Sequence, residues 1–201
     1  IAFAGLVSAP SKAAAPLPMQ KVVTDKASFV AYTPQGWKVA ERAEEGVLSV
    51  TAADPVTGCN AGMALGDSPA GDDVVTVSRR LIAAESRKYP GLQIKNARIS
   101  KEKSRVVFDG QYSQPQKGAR EFRSWVSAGG GRFSYTRIEA PAGRLEAEKP
   151  LLLTVLSNIR VTKGSFSTQA AAAPVKVQLV PYRQRDGSAS FLIPQGWQCQ
   201  D

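Results

Sequence analysis

Residues 121–140 read EFRSWVSAGGGRFSYTRIEA, and this stretch decides the fold. Residues 121–128 and 132–140 are both rich in aromatic and β-branched side chains, and three glycines at 129–131 separate them. Two such runs joined by a short glycine-containing segment predict a β-hairpin. We therefore expect an antiparallel sheet at the centre of the fold, with the flanking sequence supplying the elements that extend and cover it.

Further strands are predicted on the N-terminal side of this hairpin. Within residues 105–112, Val106, Phe108 and Tyr112 alternate with a more polar set, so one face of this strand is expected to be buried. The other strands are predicted at residues 29–33, 37–41, 47–53, 60–65 and 92–99. Thr33-Pro34-Gln35-Gly36 fits a type I turn, because proline takes its second position and glycine its fourth.

The best helix candidate is residues 72–88. Asp72 or Asp73 is expected to cap its N-terminus, and the sequence Tyr-Pro-Gly at 89–91 ends it. Glu85 falls within the apolar arc of the helical wheel. We expect its turn to leave the core so that Glu85 pairs with Lys88, and a buried functional carboxylate is the alternative.

A second helix is predicted over residues 148–158, with Pro150 in its first turn, where the missing N–H matters little. The short segment 159–161 then closes the unit. The order of strands, helix, strands, helix is typical of an α+β fold, in which helices cover an antiparallel β-sheet.

This order of elements resembles the PsbP-like superfamily. The resemblance covers residues 20–162 and depends on the Pro-x-Gly-Trp motif at 34–37, the Tyr-Pro-Gly helix end and the final SNIRV at 157–161. It implies an α/β/α sandwich and a binding or assembly role. Since the family shares no catalytic set, it implies no active-site residue and no oxygen-evolving role.

The start of the module recurs near the C-terminus. Pro34, Gly36 and Trp37 return with the same spacing as Pro194, Gly196 and Trp197, and Ala-Ser-Phe at 27–29 returns at 189–191. We interpret residues 175–201 as the truncated start of a second similar module. The segment 163–174, KGSFSTQAAAAP, has the composition of a linker.

The N-terminus resembles the end of a secretory signal peptide. Residues 1–7, IAFAGLV, are apolar, and small residues follow them, with Ser11 and Ala13 suited to cleavage before Ala14. Residues 1–15 are therefore interpreted as a signal-peptide remnant, and the protein is expected to be periplasmic or extracellular. The alternative is an Ala/Pro-rich N-terminus of a cytosolic protein.

Composition excludes several kinds of chemistry. The 201 residues contain no histidine, which excludes Ser-His-Asp and Cys-His catalysis. Ser68 has no histidine to activate it, and no phosphate-binding glycine motif or EF-hand loop occurs. We expect no catalytic residue, no cofactor and no metal site. The sequence also contains no apolar run long enough to span a bilayer as a helix.

The two cysteines are Cys59 and Cys199. A bond between them would tie the two modules together in an oxidising compartment. The repeat, however, aligns Cys199 with Val39 and not with a cysteine. A free or differently paired Cys59 is therefore favoured.

Positive charge is concentrated in residues 79–105, which hold nine basic and two acidic side chains, whereas the whole chain has a net charge of +9. A solvated surface is the simplest interpretation, and an anionic partner is the main alternative. The expected patch for that partner is formed by Arg79, Arg80, Arg87 and Lys88. Arg123, Trp125, Arg132, Phe133, Tyr135 and Arg137 interleave cations with aromatic rings. A nucleic-acid partner is nonetheless not expected, since no RNP-like motif accompanies them.

The sequence as a whole indicates an exported, non-catalytic binding or assembly module of the bacterial cell envelope. Its partner would be an envelope protein or an anionic polymer. The alternatives are an envelope hydrolase that uses carboxylates, or a basic-surface domain that binds anionic envelope polymer.

Overall fold

The computed structural model describes residues 18–26, 28–162, 179–183 and 190–194. Residues 1–15, the segment 163–174, Gly196, Trp197 and Cys199 lie outside the described residues. The strands before the first helix are β1 (Met19–Val23), β2 (Phe29–Pro34), β3 (Lys38–Glu44), β4 (Val47–Ala53) and β5 (Asn60–Asp67). They are followed by α1 (Val74–Lys88), β6 (Gln93–Ile99), β7 (Arg105–Gln114), β8 (Gly118–Gly129) and β9 (Arg132–Pro141). The remaining elements are α2 (Leu145–Ser157), β10 (Ile159–Val161), β11 (Leu179–Arg183) and β12 (Ser190–Pro194).

Seven antiparallel strands form the main sheet, in the order β3-β4-β5-β9-β8-β7-β6. The predicted hairpin β8–β9 lies near its centre, and Gly130 and Gly131 take φ values of 60° and 74° in the turn. Both positions need positive φ in a two-residue hairpin turn, which glycine adopts at little cost. The expected antiparallel α+β fold is therefore confirmed.

Two smaller sheets complete the strands. β2 pairs with β1 on one side and with β10 on the other, so the end of the unit returns to its beginning. β11 and β12 form a separate two-stranded sheet, whose side chains are not described.

Opposite faces of the main sheet are covered by different elements. On one face, Val74 and Val77 of α1 pack with Phe108, Phe122 and Val126. On the other face, Leu152 and Val155 of α2 pack with Ile138, while Phe29 of the three-stranded sheet packs with Val50. The result is a three-layer sandwich, as the resemblance to the PsbP-like superfamily implies, with the three-stranded sheet beside α2 in one outer layer.

The predicted start of the second helix is wrong by one turn. α2 begins at Leu145 and not at 148, which places Pro150 inside the helix. The N–H of Glu148 already donates to the carbonyl oxygen of Arg144 over 3.0 Å. Leu145 is buried in the core, so burial of this side chain stabilises the additional turn.

The predicted type I turn is also displaced by one residue. The N–H of Trp37 donates to the carbonyl oxygen of Pro34, and Gly36 takes a φ of +87° at the third position. Positive φ at that position is the type II arrangement. The turn directs Trp37 into the core, where its side chain is 8% exposed.

Candidate binding surface

One half of the main sheet is left uncovered on the side of α1. α1 packs chiefly on β8 and β7. A helix is about 10 Å across and strands lie about 4.8 Å apart, so one helix covers roughly two strands. The same face of β3, β4 and β5 therefore remains open beside α1.

The open face of β3, β4 and β5 carries mainly small side chains. The register places Ala40 opposite Thr51, Thr51 opposite Gly62, and Ser49 opposite Ala64. Residues directly opposite each other in an antiparallel pair share a face. A Cβ on Gly62 would lie 2.8 Å from the carbonyl oxygen of Val50, so only glycine fits there. We call the surface formed by these five residues, between α1 and β3, the trough.

A mostly apolar groove of about 550 Å³ runs along α1 beside the trough. Its apolar lining is Val47, Val77, Leu81, Ala83, Ala84 and Phe133, and its polar lining is Glu45, Asp67, Ser68, Arg80 and Arg87. Gly66 opposes Phe133 on the neighbouring strand, and a Cβ there would lie 2.6 Å from the phenylalanine ring. The missing side chain of Gly66 lets this ring lie across β5 as part of the groove.

Charged side chains line the long walls of the trough. On α1, Arg80 is held by Asp72, whereas Arg87 makes no ion pair with any described residue. On β3, Lys38 and Arg42 also make none within the described ranges. The cations that lack a partner thus stand on both walls.

The four residues of the predicted patch are all exposed on α1. Arg80 and Arg87 lie almost in line along α1, because their separation in the chain is close to two full helical turns, and both line the groove. Arg79 and Lys88 project to either side of that line. The Nζ atom of Lys88 lies 5.2 Å from the ring centroid of Tyr89. Two of the four residues therefore border the trough.

A buried network of charges fixes α1 against the sheet. The Nε atom of Arg120 donates to Glu139 over 2.9 Å, and Arg137 approaches the same carboxylate within 3.1 Å. Arg137 also reaches Glu85 of α1 at 2.6 Å. Glu85 therefore pairs with a strand residue across the layers and not with Lys88, so the expected pairing is wrong. Its place in the apolar arc was the sequence signal for this contact.

Aromatic groups surround the Arg137 guanidinium. Its carbon lies 3.8 Å from the ring centroid of Phe122 and 5.4 Å from that of Tyr112. Burial, together with the nearby charge of Glu139, raises the pKa of Tyr112, and burial likewise raises the pKa of Tyr135. Both phenols are thereby held in the neutral form, as hydrogen-bonding groups of the network.

The interleaved cations and aromatic rings of the central hairpin are divided between two faces. Trp125 stands opposite Thr136, whereas Val126 stands opposite Tyr135. Trp125 packs towards the core on the side of α2, and Tyr135 packs towards the core under α1. The hairpin therefore presents no continuous stacking surface for nucleic acid.

Cys59 is a buried free thiol in the described part of the chain. Burial raises its pKa, which makes the reactive thiolate scarce. Nowhere in the described ranges do three or more Cys, Asp or Glu side chains form a group suited to a metal ion. Neither described helix is long and apolar enough to cross a membrane.

Comparisons with known proteins were made for the whole chain. No protein-family model matches it, and no curated protein matches it. Among solved structures, cyanobacterial PsbP (CyanoP) from Synechocystis sp. PCC 6803 is similar, with a TM-score of 0.46 and 18% identity, covering 79% of this chain and 100% of that one.

Two further solved structures are similar. The Ran-binding protein Mog1p of Saccharomyces cerevisiae has a TM-score of 0.45 and 8% identity, covering 73% of this chain and 96% of its own. LpqN of Mycobacterium tuberculosis, involved in cell envelope biogenesis, has a TM-score of 0.42 and 14% identity, covering 72% and 92%. The resemblance to PsbP expected from the sequence recurs in this comparison, as a likeness of fold.

Proposed function

We propose that this protein is a non-catalytic binding module that assembles with a protein partner in the bacterial cell envelope. The observation that carries the proposal is the trough, an open and small-residue sheet face bordered by an apolar groove. The opposite face of β3, β4 and β5 is already buried against α2 and the three-stranded sheet, so an antiparallel sheet can keep this face open. Leaving it open is consistent with a surface kept for a partner.

The carboxylates favour binding over hydrolysis. Glu85 and Glu139 are the pair that converges in the interior, and the Arg137 guanidinium contacts both. A glycosidase-type pair needs one carboxylic acid that can donate a proton and space for substrate between the two groups. Here a permanent cation occupies that space.

Export is the proposed localisation, supported by the apolar run and the small residues of 1–15. The proposal extends to the second module. Met19 pairs with Pro34 in β1–β2, and Leu179 pairs with Pro194 in β11–β12. Each residue of the first pair therefore has its counterpart the same number of positions later in the chain. The preserved register supports the interpretation that residues 179–194 repeat the opening hairpin.

A second candidate function is binding of an anionic envelope polymer by the β6–β7 hairpin. Arg98, Lys101, Lys103 and Arg105 are exposed at its end, and none makes an ion pair with a described residue. Unpaired cations on an exposed edge attract polyanions by a force that salt screens. This surface lies away from the trough, so the two candidates can be separated by mutation.

The test is capture of partners from an envelope extract by the full chain, at low and high salt. Ala64→Trp is expected to abolish capture of a protein partner by filling the trough, with Ala97→Trp on β6 as a matched control. The doubly substituted chain Arg98→Glu/Lys103→Glu should leave that capture intact. Loss of all capture in high salt, together with sensitivity only to the double substitution, would favour the polymer instead. No capture at either salt would contradict both candidates.

A further inference from the structure

The width of the trough limits what can fill it. A line across the sheet through the paired residues Arg42, Ser49, Ala64 and Tyr135 crosses four adjacent strands, from β3 to β9. At about 4.8 Å between strands this is roughly 14 Å, and a helix with its side chains is about 10–12 Å across. A single helix therefore fits between α1 and β3.

The floor favours close approach by a helix. Ala40, Ser49, Thr51, Gly62 and Ala64 project little above the backbone. Helices pack at distances of about 8–10 Å, and small side chains at the contact give the shorter distances. The groove along α1 then supplies apolar contacts for one stripe of an amphipathic helix.

The charges specify the flanks of that helix. On the walls of the trough, the cations without an ion-pair partner among the described residues are Arg87 on α1 and Lys38 and Arg42 on β3. The acidic residues beside the trough, Glu44, Glu45 and Asp67, lie together at one end of it, where β3 and β5 end and the β3–β4 turn begins. A helix with acidic side chains on both flanks would therefore face opposite charge along most of its length.

Other occupants fit less well. The apolar side chains that face the groove are mostly half-buried, so they do not project as a lipid-inserting surface would. A second copy of this chain has unsuitable helices. Its α1 is basic, and the acidic residues Glu146 and Glu148 of α2 are already paired with Lys149 and Arg144.

We infer that the trough binds an amphipathic helix of a partner protein, with an apolar stripe flanked by acidic side chains. The inference rests on the proposed binding function and specifies the partner at the same surface. The partner helix would lie beside α1 and complete the helical layer on this face of the sheet. Its acidic flanks would contact Arg87 on one side and Arg42 on the other.

The test is selection of binders from a displayed library of helical peptides, each long enough to run the length of α1, with the full chain as the target. Enriched peptides are expected to carry an apolar stripe at helical spacing with Asp or Glu beside it. Their affinity should fall at least tenfold for Ala64→Trp and about tenfold for Arg87→Glu. Ala97→Trp and Arg79→Glu, which make the same changes away from the trough, should leave it unchanged.

Three results would overturn the inference: enrichment of basic or extended peptides, affinity that ignores Ala64→Trp, or no enrichment. Ser49→Trp provides a second block of the floor if Ala64→Trp does not fold, as judged by circular dichroism. The proposed function is tested separately, by capture of partners from the envelope extract. If the full chain captures an envelope protein and Ala64→Trp does not reduce capture, the binding role stands and the helix in the trough is excluded.

Discussion

At the scale of single residues, the most consequential group is the Glu139 carboxylate. It accepts from Arg120 over 2.9 Å and from Asn60 over 3.3 Å, and it balances Arg137 as well. The side chains of Arg120 and Glu139 are 4% and 8% exposed. A buried charge that loses its partner is far more costly than a lost surface pair, because water cannot replace the partner.

We therefore expect Glu139→Gln to lower the free energy of unfolding by about 3 kcal/mol, measured by urea denaturation. Glutamine keeps the shape of the side chain but leaves two buried guanidinium groups without half of their counter-charge. The matched control is Glu146→Gln, whose exposed pair with Lys149 should be worth less than about 1 kcal/mol. Equal costs for the two variants would show that the network does not stabilise the fold.

Tyr112 gives the same network a dependence on pH. Its folded pKa is raised above the ordinary value of 10.0, chiefly by burial. A raised pKa means that the folded state holds the proton more tightly than the unfolded state. The stabilisation that Tyr112 contributes through its raised pKa is therefore complete below pH 10 and decreases as the pH rises above it.

The expected result is a free energy of unfolding that falls as the pH is raised from 9 towards 11.5, with a shallower fall for Tyr112→Phe. Phenylalanine does not titrate, so one source of the slope disappears even though a hydrogen bond to Glu139 is lost. Urea denaturation at a series of pH values measures both slopes. Equal slopes for the unsubstituted protein and Tyr112→Phe would contradict the assignment of this pH dependence to Tyr112.

At the scale of elements, the sequence predicted those features that depend only on neighbouring residues in the chain. Asp73 caps α1 by accepting from the N–H of Thr76 at 2.7 Å, as the sequence indicated. β1 was missed because Met19–Val23 is short and includes Gln20 and Lys21, and it gains its place by pairing with β2. The first turn of α2 was missed because burial of Leu145 in the core stabilises it, and no side chain caps the helix to mark its start.

The trough was beyond sequence reasoning for a related reason. Its residues are Ala, Ser, Thr and Gly spread over positions 40–64, types that carry no chemical signal of their own. Only the register of three strands brings them to one face. The predicted basic patch depends on helix geometry in a similar way: Arg80 and Arg87 line the groove, whereas Arg79 and Lys88 project to either side of them.

The β3–β4 turn allows a prediction for one element. Glu45 and Gly46 take φ values of 48° and 78°, which form a two-residue turn with positive φ at both positions. Asparagine tolerates the first position better than glutamate does. Glu45→Asn should therefore stabilise the protein by about 0.5 kcal/mol, and Gly46→Ala should destabilise it by about 1–2 kcal/mol.

Thermal unfolding of these two variants, with Glu44→Asn as the control within β3, measures the turn. Glu44 lies on the strand and not in the turn, so asparagine there gains nothing from positive φ. The prediction is wrong if Glu44→Asn stabilises the protein as much as Glu45→Asn does.

At the scale of the whole molecule, the covering of the main sheet is diagonal. α1 covers β7 and β8 on one face, while on the other face α2 covers β5 and β9 and the three-stranded sheet covers β3 and β4. Each face consequently keeps an open half. The trough is the apolar and small-residue half, and the exposed β6–β7 cations border the other. Two separate surfaces of different chemistry are thus available to partners.

The two hairpins that the proposed repeat relates differ in what supports them, and this gives a prediction for the whole chain. β2 has a strand on each side, and its Phe29 and Ala31 side chains are 0% exposed in the core. β11–β12 is a two-stranded sheet, and an isolated hairpin is marginally stable in water. Amide hydrogens of β11 and β12 should therefore exchange far faster than those of β1 and β2, although the register is the same.

Hydrogen exchange of the full chain, followed by mass spectrometry of peptides from both hairpins, makes the comparison within one sample. Phe29→Ala is the matched perturbation, because loss of its buried ring should accelerate exchange in β2 and leave 179–194 unchanged. Equal protection of the two hairpins in the unsubstituted chain would mean that 179–194 is packed against another surface. In that case the β11–β12 hairpin would have to be assigned a contact of its own, and the proposed repeat would extend beyond register to packing.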